Sequence, residues 1–234
     1  GQAALTLANV AISGEMNTTI SVADEASAAL DGVVAAGNAG DTGGFLRAAD
    51  DATVTVAGGA FSGNSAEDGG VFYLEGNAVA AVDGGVYGGN SASSSAGVVY
   101  VADAAQVAWS GGVVSGNAAY VSGGFATVDE DATATVDGGA VFANNTAGVT
   151  GDYMDTDGWR YGPGAFAKVQ GVLTVGNATV RGHEVAVHVS SGGLVHVLGG
   201  NWTENFWHVD FGAVFFIVGF STVVIDGGTF SKNT

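Results

Sequence analysis

A short phrase returns along this chain: two glycines, apolar or hydroxylic residues, a small turn, then asparagine. It reads GGAFSGN at 58–64, GGVYGGN at 84–90, GGVVSGN at 111–117, GGAVFANN at 138–145, GGNWTEN at 199–205 and GGTFSKN at 227–233. Asn38, Asn64, Asn90, Asn117 and Asn144 stand 26, 26, 27 and 27 residues apart. A fixed period of that size predicts a solenoid, in which each unit buries its apolar face only against its neighbours.

Within one period, residues 69–92, the pattern predicts three short strands and three turns. The strands are 71–74, 78–82 and a short stretch ending at Asn90, and SASSSAG reads as a variable loop. Side chains alternate along a strand, so Ala78, Ala80 and Val82 should point inward together. Their counterparts are Ala52, Val54 and Val56; Ala132, Ala134 and Val136; and Ser221, Val223 and Ile225. The intervening Thr53, Thr55, Val79, Ala81, Thr133 and Thr135 should face out. A second inward column is expected from Phe61, Tyr87, Val114, Val141, Val180, Trp202 and Phe230. The period predicts an all-β fold, a parallel β-helix of about nine coils of about 26 residues, about 43 Å long. The asparagines Asn38, Asn64, Asn90, Asn117, Asn144, Asn205 and Asn233 then form a structural column that satisfies buried peptide groups, with Glu15 and His183 in the same role in two coils. Residues 1–234 read as one β-helix domain with an inserted loop at 146–165, and the pattern stops in mid-coil at both ends, as in a piece of a longer chain.

Paired phrases, GGVFYL (69–74) and GGFAT (123–127) with FSGN (61–64), YGGN (87–90), WTEN (202–205) and FSKN (230–233), resemble the GGA[ILV]/FxxN repeats of chlamydial polymorphic outer membrane proteins. The resemblance implies a right-handed β-helix similar in fold to pectin lyases and a structural or adhesive role at a cell surface or in a surface filament. It does not imply catalysis.

Charge narrows the partners. Twenty-three acidic residues against five basic ones give a formal charge of −18, which disfavours a nucleic-acid partner. With no cysteine there is neither disulfide nor thiolate chemistry. No stretch has the length of a membrane span.

Several residue groups carry specific expectations. The first turn of successive coils is acidic, and Asp50, Asp51, Asp129, Glu130 and Asp131 are candidate calcium ligands, since stacked carboxylates repel and calcium takes several oxygens. A solvated ridge is the alternative reading of the same acids. Calcium is the one cofactor that the sequence suggests. In the 146–165 loop, Tyr153, Trp159, Arg160 and Tyr161 beside Asp152, Asp155 and Asp157 are candidates for gripping a glycan. N-x-T sequons mark Asn17, Asn144, Asn177 and Asn201 for glycosylation, with Asn144 disfavoured as an inward residue. Phe206, Trp207, Phe215, Phe216 and Phe220 make the last coil apolar and a candidate contact with other copies or other chains of a surface assembly. The histidines are expected on the surface, with His188 and His196 on different strands. Catalysis is not expected: no isolated carboxylate pair stands out, and Arg47, Arg160, Lys168, Arg181 and Lys232 are scattered. The threonine array is too broken for ice binding. The reading is an extracellular or cell-surface rod acting by protein–protein contact, with a carbohydrate-binding or polysaccharide-processing protein as the alternative.

Overall fold

The computed structural model describes residues 2–15, 17–148, 164–206 and 213–234. These residues form a right-handed parallel β-helix, with every strand pairing parallel. Each rung contributes a three-residue strand to an eight-stranded sheet (sheet 1, from Ile20–Val22 to Phe215–Ile217). It then gives a strand of four or five residues to a nine-stranded sheet (sheet 2, Ala4–Ala8 to Thr222–Ile225). A three-residue strand completes a second nine-stranded sheet (sheet 3, Ala11–Ser13 to Thr229–Ser231). At about 4.8 Å per rung, nine strands span about 38 Å. No helix of the described residues is long and apolar enough to cross a membrane.

Registers match the expected alternation in sheet 2. Val54, Ala80, Val107 and Ala134 lie in one line, and Val56, Val82, Trp109 and Val136 in the next, all buried. Thr53, Thr55, Val79 and Ala81 face solvent between them. Period-two patterning therefore sets which face is core, and β-branched residues fill a pleated surface well. The SASSSAG segment is not simply a loop. Ser91–Ala92 pairs with Ser65–Ala66 and Ala118–Ala119, and with Thr146–Ala147 these make a narrow four-stranded sheet.

Two expected positions shift by one residue. The inward partner of Val114 is Phe142, not Val141, and the buried asparagine of that rung is Asn145, not Asn144. The rung carries one residue more than the sequence phrase suggested, so Asn117 and Asn145 are 28 apart. A one-residue slip in a strand swaps its two faces, which is why the correction moves both side chains together.

Aromatic rings run continuously through the interior. Phe61 and Tyr87 stack at 4.7 Å, Tyr87 meets Trp109 edge-on at 4.6 Å, and Phe125, Phe142, Phe166, Trp202 and Phe230 continue the line. Each such pair adds about 0.5–1.5 kcal/mol beyond the burial of its surface.

Candidate functional site

Beside the aromatic core runs a ladder of side-chain amides. In each standard rung the asparagine Oδ1 accepts from the backbone N and the Nδ2 of the asparagine one rung earlier. Asn64 donates both groups to Asn90, at 3.0 and 3.0 Å, and Asn90 donates both to Asn117, at 2.9 and 2.9 Å. The second Nδ2 proton goes to a strand carbonyl on the previous rung: Asn64 to Ala35, Asn90 to Phe61, Asn117 to Tyr87. All polar capacity of the amide is thereby used in the buried interior, where an unmade bond costs most.

The ladder runs from Glu15, whose backbone N donates to Asn38, through Asn145, His183 and Asn205 to Asn233. His183 is fully buried and takes the place of an asparagine. Its Nδ1 meets Asn205 Oδ1 at 3.2 Å and its Nε2 meets Asn145 Nδ2 at 3.2 Å. Burial holds its pKa down to about 4, against the opposing bond to Asn205. His183 thus occupies the column position that its spacing implies, and the general expectation of surface histidines does not extend to it.

A second column lies on the outer face of sheet 1: Ser21, Arg47, Tyr73, Tyr100, Thr127, Lys168, His188 and Phe216, one per rung. It gathers aromatic, basic and hydroxylic groups. Tyr73 and Tyr100 stack at 5.2 Å, Arg47 pairs with Glu75, and Tyr100 donates to Asp129 at 3.1 Å. Burial, then Asp129, pushes the Tyr100 phenol upward; burial followed by Asp68 and Asp103 does the same for Tyr73, with Arg47 opposing. The two rings come from adjacent rungs and lie nearly parallel, so they face each other along the axis. They offer the solvent ring edges and hydroxyls more than open faces. His188 is brought down to about 4 by burial and by Lys168, and its Nε2 is buried without a partner. The alternation in FYL, VYV, AKV and VHV held the signal for this column, but each of these strands turns out a single residue, and Thr127 in the equivalent place is buried.

The other expected sites fall as follows. Asp50 accepts from the Asp24 amide at 3.2 Å, Asp51 from Asn77 at 2.9 Å, and Asp129 from Tyr100. Asp24, Asp50, Asp103 and Asp131 all hold a left-handed turn conformation, with φ between 53° and 64°, which aspartate tolerates better than most residues. No three Asp, Glu or His side chains converge on a metal-sized site among the described residues, Glu130 included. Asp50, Asp51 and Asp129 instead accept from backbone and side-chain donors. Asp137 does this most fully: its Oδ1 accepts from the Gly138 and Asn177 amides, both at 2.8 Å, which holds its carboxyl below the usual range.

Tyr153, Trp159, Arg160 and Tyr161 lie outside the described residues, as does Trp207. The sequon asparagines Asn17, Asn144, Asn177 and Asn201 are all exposed. Asn144 is thus as accessible as the rest, at a turn with φ 53°, in contrast to its expected inward position. The apolar last coil is not one patch. Phe215 turns inward against Trp202 at 5.4 Å, Phe216 joins the outer column beside His188 at 5.2 Å, and Phe220 stands 99% exposed at a turn. Phe206 is half-buried and its backbone bridges to Glu184.

No family model matches this chain, and no curated protein or solved structure matches it either.

Proposed function

We propose that this chain is a rigid structural or adhesive rod of an extracellular or cell-surface protein, acting through contacts with other copies or other surface chains rather than by catalysis. The observation that carries this reading is the ladder from Glu15 to Asn233, which spends its buried polar groups on binding each rung to the next. Interior order of that kind serves stiffness. Charges concentrate at the turns, and small uncharged residues cover much of the outer faces of sheets 2 and 3. The GGA[ILV]/FxxN-type phrases add support through their resemblance to repeats of polymorphic outer membrane proteins.

The test is electron microscopy of the protein from its native source. Filaments or ordered arrays with this rod as an element are expected; dispersed, uniform particles would count against the reading.

A second reading, a carbohydrate-binding face, is favoured by Arg47, Tyr73, Tyr100 and Lys168 of that column, with Thr127 buried between them. Its hydroxyls and flanking carboxylates suit hydrogen bonding to a neutral sugar chain more than ring stacking. A glycan array that registers binding by the wild type and loss in Tyr73→Ala/Tyr100→Ala would move the assignment to this face.

A further inference from the structure

The rung between His183 and Asn205 is short and rich in histidine. Successive ladder residues are 26 to 28 apart from Asn38 to Asn145, but only 22 separate His183 from Asn205. Three of the four histidines of the chain, His183, His188 and His196, lie on this rung.

Hydrogen-bond accounting fixes the protonation state of His183. Asn145 Oδ1 already accepts from the backbone N and Nδ2 of Asn117, at 3.1 and 2.9 Å. The Asn145 group facing the imidazole is therefore its Nδ2, a donor, so Nε2 must be an unprotonated acceptor. Asn205 Oδ1 on the other side is an acceptor, so the ring proton sits on Nδ1. A second ring proton would set two donors against each other, and turning the Asn145 amide to relieve them would break both bonds to Asn117.

Among the described residues, no charged group is placed to compensate. The ring is enclosed by Asn145, Asn205 and Phe166, whose centroid lies 6.0 Å away. Arg181 and Glu184 flank it in sequence. Lys168 from the previous rung opposes a charge on His188, and Phe216 from the next covers that ring. His196, on the exposed face, contacts Asp226 at 2.6 Å.

We propose that this rung is a pH-sensitive joint: protonation of His183 breaks its bond to Asn145 and lets the rungs from residue 183 onward open as a unit, while the asparagine-only rungs stay stacked.

The direction follows from the perturbed values. Both His183 and His188 are held near 4 in the folded rung, against about 6.5 when exposed. A group whose folded value is lowered in this way gives its full stability above about pH 6.5, and that stability is lost as pH falls toward 4. At pH 5 opening is favoured about 20-fold per histidine relative to pH 7, and near pH 3 by about 200-fold. Solenoid rungs can open in blocks, because each is held only by its neighbours.

Hydrogen exchange read by mass spectrometry at pH 7 and pH 5, corrected for intrinsic rates, tests the joint. Protection over 183–206 and 213–234 should fall by about 20-fold or more at pH 5 relative to 53–143. His183→Asn, which restores the amide, should recover about 20-fold of that loss. Uniform loss along the chain, or full pH sensitivity in His183→Asn, overturns the proposal. NMR titration of the wild-type imidazoles checks it without a variant: His183 should titrate below 5, and a value near 6.5 refutes the joint.

Discussion

Replacing Asn90 by aspartate changes one NH2 group to an oxygen in the middle of the ladder. Asn90 is 1% exposed. Its Oδ1 accepts from Asn64 N and Nδ2, and its Nδ2 donates to Phe61 O at 3.0 Å and to Asn117 Oδ1 at 2.9 Å. In Asn90→Asp the accepting side survives, but the second oxygen faces two other oxygens with no cation near. The carboxyl can enter the interior only by taking up a proton. Holding a group of ordinary pKa near 3.9 neutral at pH 7 costs about 4 kcal/mol, and this falls by about 1.4 kcal/mol per pH unit. One proton replaces two, so a lost hydrogen bond adds about 1 kcal/mol at any pH.

The alanine variant behaves differently. Asn90→Ala removes all four bonds and leaves the Asn64 amide and the Phe61 carbonyl without their ladder partner, at about 1–3 kcal/mol each. Its cost should not depend on pH. Denaturant titration followed by fluorescence and circular dichroism, at pH 7 and pH 5, separates the two. Asn90→Asp should recover about 2.7 kcal/mol relative to Asn90→Ala between those conditions. Asn144→Asp is the control: it is the same chemistry on an exposed turn residue, and should stay within about 0.5 kcal/mol of wild type. An Asn90→Asp cost below about 1 kcal/mol at pH 7, or one with no pH relief, would refute the directional ladder.

Other consequences are cheaper to test. Tyr87 stacks on Phe61 at an equivalent position, yet its hydroxyl is buried with no partner. Tyr87→Phe should stabilise the fold by about 1 kcal/mol or more, raising Tm by about 2–4 °C, and a lower Tm would show that the hydroxyl is satisfied. Because several turn carboxylates serve as hydrogen-bond acceptors, adding a calcium chelator should leave Tm unchanged to within about 1 °C; a clear drop would favour calcium binding at the turns.

What the sequence made legible follows from period and register. Val54, Val82 and Val136 could be placed because a strand alternates every two residues and the repeat brings the same phase back on each rung. Asn145 could not be distinguished from Asn144, since both fit the spacing and only the backbone path through the GGAVFANN turn decides between them. Phe215 and Phe216 read as one apolar patch, but neighbouring residues of a strand face opposite ways, so one packs inward and the other outward. Tyr73 and Tyr100 escaped notice for a related reason: their contact joins residues 27 apart, and a three-residue strand shows too little alternation to mark its middle position. His183 was assigned to the ladder from spacing alone, but its burial and tautomer came only from the three-dimensional neighbours.

The central claim is that stacked side-chain amides bind rung to rung, and exchange of the side-chain Nδ2 protons measures it directly. By NMR, the Nδ2 protons of Asn64, Asn90, Asn117 and Asn145 should exchange at least about 100-fold more slowly than those of Asn144, because they are released only when rungs separate. Fast exchange at all five positions, or protection of Asn144 in place of Asn145, would contradict the account.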